Sequence, residues 1–150
     1  MAYLNFLAAV APDRVVAYRE NRSLSLNSSL VIHVSHLLSY WISTQPVGKL
    51  LGQAIDEGEA LAADMWHPLR PPKIHSIESV QSLALALASS WEDIARSSTV
   101  IQDDDFFRPQ INSVVNLFRH AAEQRENVVS VLERPSDIER AKRIEIPKLD

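Results

Sequence analysis

Apolar residues recur at spacings of three and four along much of this 150-residue chain, and that pattern restricts it to a helix-rich body with one shared core. The longest clean stripe is Phe107, Ile111, Val114, Val115, Phe118 and Ala122. Pro109 falls in the first turns of that helix, where its missing N–H costs little. Asp103, Asp104 and Asp105 precede it, where the positive end of a helix dipole favours negative charge. Val80, Leu83, Ala84, Leu87 and Trp91 form a second stripe behind Ser76, an N-cap residue, with Glu78 in the first turn. A short helix from about Trp91 to Arg96 continues it at an angle. A third stripe, Leu30, Val34, Leu37, Leu38, Trp41 and Ile42, predicts a helix capped by Asn27, Ser28 or Ser29 and ended by Gln45-Pro46. A shorter helix is expected from Val47 to about Glu57 with Gly58 as its left-handed cap, and another from Arg14 to about Asn21 behind Asp13. Burying each large member of these stripes stabilises the fold by roughly 1.5–3 kcal/mol before chain entropy is subtracted.

The two ends of this helical array read differently. Residues 2–10 are short, apolar and aromatic and stop at Pro12, as a core strand does. Val128, Val129, Val131 and Leu132 are mostly β-branched and make a second strand that can pair with the first. The expected fold is therefore α+β: a helix-dominated single domain over 1–133, with a small sheet pairing the N-terminal strand and the strand near residues 127–133. A charged C-terminal tail, 134–150, follows. Between the helices, Ala60 to Ser76 reads as irregular, because Pro68, Pro71 and Pro72 forbid a helix interior.

Composition removes several function classes. With no cysteine, disulfides, thiolate-held metals and thiol catalysis are excluded. With only 3 Gly, a glycine-rich phosphate cradle is not expected, and no catalytic motif such as Gly-x-Ser-x-Gly or His-Glu-x-x-His occurs. The net charge of −4 argues against a nucleic-acid partner, and Arg134, Arg140, Lys142 and Arg143 in the tail are interleaved with acids. The opening apolar run lacks the positive start of a signal peptide, and no apolar stretch reaches 18 residues, so no membrane span and a cytoplasmic location are expected.

The order of segments resembles a known family. His36-Leu37-Leu38 is similar to a His-x-Leu-Leu-like helix segment, and Leu51 to Glu59 to a Pro-Leu-x-x-Ala-Ile-x-Gly-Gly-Glu-like element. Arg70 to Val80 is similar to a Gly-Pro-Ala-Arg-aromatic-Leu-Thr-Pro-Glu-Glu-Val-like turn into a helix, and Phe106 to Leu132 to a closing helix and strand. This order over residues 1–133 resembles the YfbM-like family of bacterial proteins, a domain of unknown function. Ser39-Tyr40-Trp41, Glu57 and Lys73 depart from the pattern at positions where the family tends to have Thr-Gly, a glycine and an arginine. The resemblance implies an α+β fold and no activity.

Two sets of residues are candidates for function. His33 and His36 on one expected helix, with His67 and His75 in the proline-rich segment, make an alternative zinc or nickel set, although His33 also fits as a core-edge histidine. The second set is a surface patch of Glu57, Glu59, Asp64, Trp66, His67, Arg70, Lys73 and His75, where an aromatic among prolines suits a binding surface. The Asp103 to Asp105 cap is the alternative patch. Trp41 and Trp91 lie on apolar stripes and read as core; His120 reads as surface. The favoured expectation is a non-catalytic protein-binding module, of the immunity or antitoxin type that masks a toxin or enzyme, with a protein partner and no cofactor. The alternative is a metal-dependent or histidine-based hydrolase or transferase acting on a small polar substrate, and a third is a structural subunit or homodimer.

Overall fold

A computed structural model describes residues 4–21, 26–35, 38, 46–62, 70–97 and 107–133. Among the described residues, nine elements run in the order β1 (Leu4–Val10), α1 (Pro12–Glu20), β2 (Ser28–Ser35), α2 (Pro46–Asp56), β3 (Glu59–Ala60), β4 (Lys73–His75), α3 (Ile77–Ser97), α4 (Phe107–Gln124) and β5 (Asn127–Glu133). The strands form one antiparallel sheet in the order β2-β1-β5-β4-β3. The α+β class and the pairing of the two chain ends are as expected, with Leu4 opposite Glu133 and Val10 opposite Asn127. The sheet is larger than a two-strand pair.

Alternation along β1 sorts the core into two layers. Leu7 and Ala9 face a cluster built from Leu51, Ala54 and Ile55 of α2, Val80, Leu83, Ala84 and Leu87 of α3, and Ile111, Val114, Val115, Leu117 and Phe118 of α4. Phe6, Ala8 and Val10 face the opposite side, where Val15 and Tyr18 of α1 cover them with Leu26 and Leu61. Among the described helices, three lie on one face and one on the other, burying β1 on both sides, which explains the apolar run from Phe6 to Val10.

Several expectations change. Ser28–Ser35 is a strand at the sheet edge, not the start of a helix. Leu30, Ile32 and Val34 alternate onto the helix-covered face, and Val31, Ile32 and Val34 are β-branched, so the segment suits a pleated surface as well as a helical stripe. Leu38, from the same stripe, is fully buried; its other members beyond Val34, and Trp41, lie outside the described residues. Lys73-Ile74-His75, expected to be irregular, pairs with β5 as β4. The second stripe continues as one helix from Ile77 to Ser97 without a break at Trp91. Ala11 rather than Asp13 caps α1, and Pro12 opens it. The Asp103 to Asp105 cap and the tail 134–150 lie outside the described residues.

Two local expectations hold closely. Ser76 Oγ accepts the N–H of Ser79 at 3.1 Å, as an N-cap does. Gly58 follows α2 with φ +133°, and a Cβ there would sit 2.9 Å from the carbonyl oxygen of Ile74. Both the positive φ and the close approach of β4 require glycine. Gly58→Ala is therefore expected to destabilise the protein by more than about 1 kcal/mol, read as a lowered midpoint in urea unfolding.

Candidate functional site

The residues singled out in the sequence do not gather at one place. His33 stands exposed on β2, opposite Phe6, with its ring 5.8 Å from the Phe6 ring. His75 lies on β4, opposite Val128, which in turn faces Ala9. Phe6 and Ala9 are three residues apart on β1, so the two histidines are on opposite faces of the sheet. Two strands also separate them, about 14 Å at ordinary strand spacing. His36 and His67 lie outside the described residues. Among the described residues, no group of three His, Cys, Asp or Glu is placed to hold a metal ion.

The expected surface patch is divided in the same way. Glu57 and Glu59 are exposed, Lys73 is half-buried, and Asp64 and Trp66 lie outside the described residues. Arg70 points inward instead of presenting its charge. Its Nη2 donates to Asn5 Oδ1 at 3.1 Å and to Ser130 Oγ at 2.9 Å, and Ser130 Oγ donates to the Ile55 carbonyl at 2.6 Å. Asn5 and Ser130 are fully buried on β1 and β5, so the guanidinium bridges two strands, and Ser130 ties the sheet to the end of α2. Burial pulls the Arg70 pKa down, and nearby Asp56 partly restores it; a guanidinium stays charged regardless.

His75 is the most constrained of the candidates. It is buried at the floor of a hollow of about 310 Å³ lined by Gln53, Glu57, Gly58, Ser79, Ser82 and Leu83. Its Nε2 lies 2.9 Å from the Ala54 carbonyl and its Nδ1 3.2 Å from Ser79 Oγ. A carbonyl only accepts, so Nε2 carries the proton, and Nδ1 then accepts from the Ser79 hydroxyl. The Phe118 ring meets the imidazole edge-on at 5.8 Å. This is a serine–histidine dyad in form, but a neutral carbonyl stands where a catalytic triad has a carboxylate. A carbonyl supports an imidazolium less well.

A cluster that the sequence did not signal lies elsewhere. Ser29 Oγ donates to Glu126 Oε1 at 2.6 Å and lies 2.7 Å from His120 Nε2, while His120 Nε2 and Glu126 Oε1 are 3.4 Å apart. Ser29 lies 91 positions from His120 and 97 from Glu126 in sequence. The only sequence clue is polarity at positions 29 and 126 beside apolar strands. A further groove of about 400 Å³ runs between α3 and α4, lined by Gln81, Ala84, Leu85, Ala88, Arg119, Ala122 and Glu123, with Leu85 76% exposed.

Burial lowers the His75 pKa from the ordinary 6.5, against smaller raising effects of the Ala54 and Gln53 carbonyls and Glu57. The folded protein therefore binds this proton less readily than the unfolded chain. The stability His75 contributes is complete above about pH 6.5 and declines as pH falls from there to the lower folded pKa. NMR titration of the His75 ring should find it more than half neutral at pH 6.5, and His75→Gln should remove part of the acid-side slope of unfolding stability. A ring half-protonated at pH 6.5 contradicts this assignment.

No family model matches this chain, and no match is found among curated proteins or solved structures.

Proposed function

We propose that this chain is a protein-binding module. The observation that carries the reading is the α3–α4 groove. A large apolar side chain that is 76% exposed is unusual on a helix whose Val80, Leu83 and Leu87 are buried in the core. Leu85 stands beside Ala84, Ala88 and Ala122, small residues that let a partner approach closely. Arg119 and Glu123 rim the groove with one charge of each sign. The partner of matching chemistry is a protein segment with an apolar anchor flanked by an acid and a base. An immunity or antitoxin role, in which this chain masks a toxin or enzyme, is the specific form of the proposal. Membership of the YfbM-like family belongs to it too, supported by the α+β architecture and the order of motifs.

A second reading, a histidine-based hydrolase or transferase on a small polar substrate, draws support from the Ser79–His75 dyad beside its hollow. In that reading Ser79 attacks and its proton passes to His75 Nδ1. Purified protein should then turn over an activated ester, and Ser79→Ala should abolish turnover; equal rates for both proteins remove this reading.

For the binding module, a photo-crosslinking residue at position 85 should capture one protein in stoichiometric yield, whereas one at exposed Val16 on α1 should not. Leu85→Asp should abolish binding of that purified protein while changing stability by less than about 0.5 kcal/mol, as exposed sites do. Loss of the partner's own activity on adding this chain would support masking. Equal capture at positions 85 and 16, or unchanged binding by Leu85→Asp, overturns the proposal.

A further inference from the structure

We propose that the outer edge of β2 pairs with β2 of a second copy of this chain, making a two-fold dimer through one continuous antiparallel sheet, independent of the groove between α3 and α4. β2 ends the sheet, and β1 is its only strand partner among the described residues. Backbone groups of successive residues in an antiparallel strand point alternately to its two sides. Ser35 N–H donates to Gln110 Oε1 at 2.7 Å, so it points away from β1. The Ala9 carbonyl, opposite Leu30, lies on the β2 side, 3.5 Å from Ser29 Oγ. Both observations put Leu30, Ile32 and Val34 in bonding register with β1 and turn the N–H and C=O groups of Val31 and His33 outward. Among the described residues, nothing bonds to these four outward groups. The Gln110 side chain covers the edge at one end. At the other end Ala9 pairs with Leu30 and Val10 with Ser28, so Ser29 is the extra residue of a β-bulge that closes the regular stretch. The open edge is Val31 to His33.

This edge is its own complement when two copies meet antiparallel about Ile32. Val31 then lies opposite His33 of the second copy, and His33 opposite its Val31. Each such pair exchanges two bonds, so every outward group of both copies is satisfied. Ile32 faces Ile32 on the two-fold axis and Leu30 faces Val34, apolar against apolar on the helix-covered side. Leu30, Val31 and Ile32 are only half-buried in the single chain, and pairing covers them further. α4 packs across both β1 and β2, so its two copies would stand about two strand spacings apart, roughly 10 Å, the ordinary distance of packed helices. Edge strands are ordinarily kept from pairing by charge or proline. In a chain of net charge −4, β2 carries no Asp, Glu, Lys, Arg or Pro. The opposite edge of the sheet is blunted: β3 has two residues, one of them Glu59. Growth into a longer array therefore has no second edge to use, and the assembly closes at two copies.

Analytical ultracentrifugation of the whole chain over a concentration series tests this pairing. We expect the mass to rise from 16.8 kDa to twice that value and no further. Val31→Pro removes an outward donor and leaves the bonds to β1, so it should weaken the dimer roughly tenfold or more with an unchanged circular dichroism spectrum. The chain has no cysteine, and Cα atoms of a non-hydrogen-bonded pair stand about 4.5 Å apart, within disulfide reach. Ile32→Cys should therefore oxidise in air to a covalent dimer, whereas Val16→Cys on the exposed side of α1 should not. In the unaltered protein, amide exchange at Val31 and His33 should slow as concentration rises, while Ile32 and Val34, held by β1, stay constant. This last measurement stands even if a variant fails to fold. A monomer up to millimolar concentration, species larger than two copies, a dimer undiminished in Val31→Pro, or concentration-independent exchange at Val31 and His33 overturns the proposal.

Discussion

Everything in this fold depends on β1 being paired on both edges and covered on both faces. Asn5 to Val10 are all buried, so each backbone N–H and C=O there must find a partner inside the protein. β2 supplies partners on one side and β5 on the other. The pairing with β5 joins positions more than a hundred residues apart, an ordering cost that only the large apolar area on both faces offsets. The helices are therefore secondary to the strand they sandwich: α1 closes one face, and α2, α3 and α4 close the other.

That arrangement accounts for the buried polar side chains. Ser130 and Asn5 occupy helix-side positions on adjacent strands, and the Arg70 guanidinium reaches both while Ser130 satisfies a carbonyl of α2. His75 does the same one strand over, linking β4 to the Ala54 carbonyl and to the first turn of α3. Asn127 closes the series by donating to the His75 carbonyl at 2.9 Å. The Asn127 bond joins β5 to β4, and the others tether a helix or loop to the sheet at a fixed place. Such polar seams specify how layers register against each other, whereas apolar contacts alone tolerate sliding. Two charged or titratable residues chosen as surface candidates, Arg70 and His75, serve in these seams.

The helix face away from the sheet and the bulged end of β2 are where side chains remain available to other molecules. Leu85 projects from α3, and Trp91 on the same helix instead turns its Nε1–H to Asn112 of α4 at 2.7 Å. That bond holds the two helices together beyond the groove. At the bulge, Ser29 of β2, His120 of α4 and Glu126 of the link between α4 and β5 meet at one point without sharing the apolar core.

The amino-acid pattern alone determined α3 as far as Trp91, α4, the Ser76 cap, the glycine after α2, and the pairing of the two apolar end segments. In each, the local signal and the tertiary environment agree: a long stripe has one way to face a core, and a positive φ pressed against a carbonyl admits glycine alone. The identity of β2 was decided by tertiary structure. Leu30 and Val34 satisfy both a helical and a strand period, and β1 needed a partner on its free edge. Lys73-Ile74-His75 is too short to announce itself and became β4 because β5 offered an open edge. Where the histidines face, and the meeting of Ser29 with His120 and Glu126, also had no local signature. Strand order, sheet face and a bulge set those positions, and these are properties of the assembled sheet, not of any one segment.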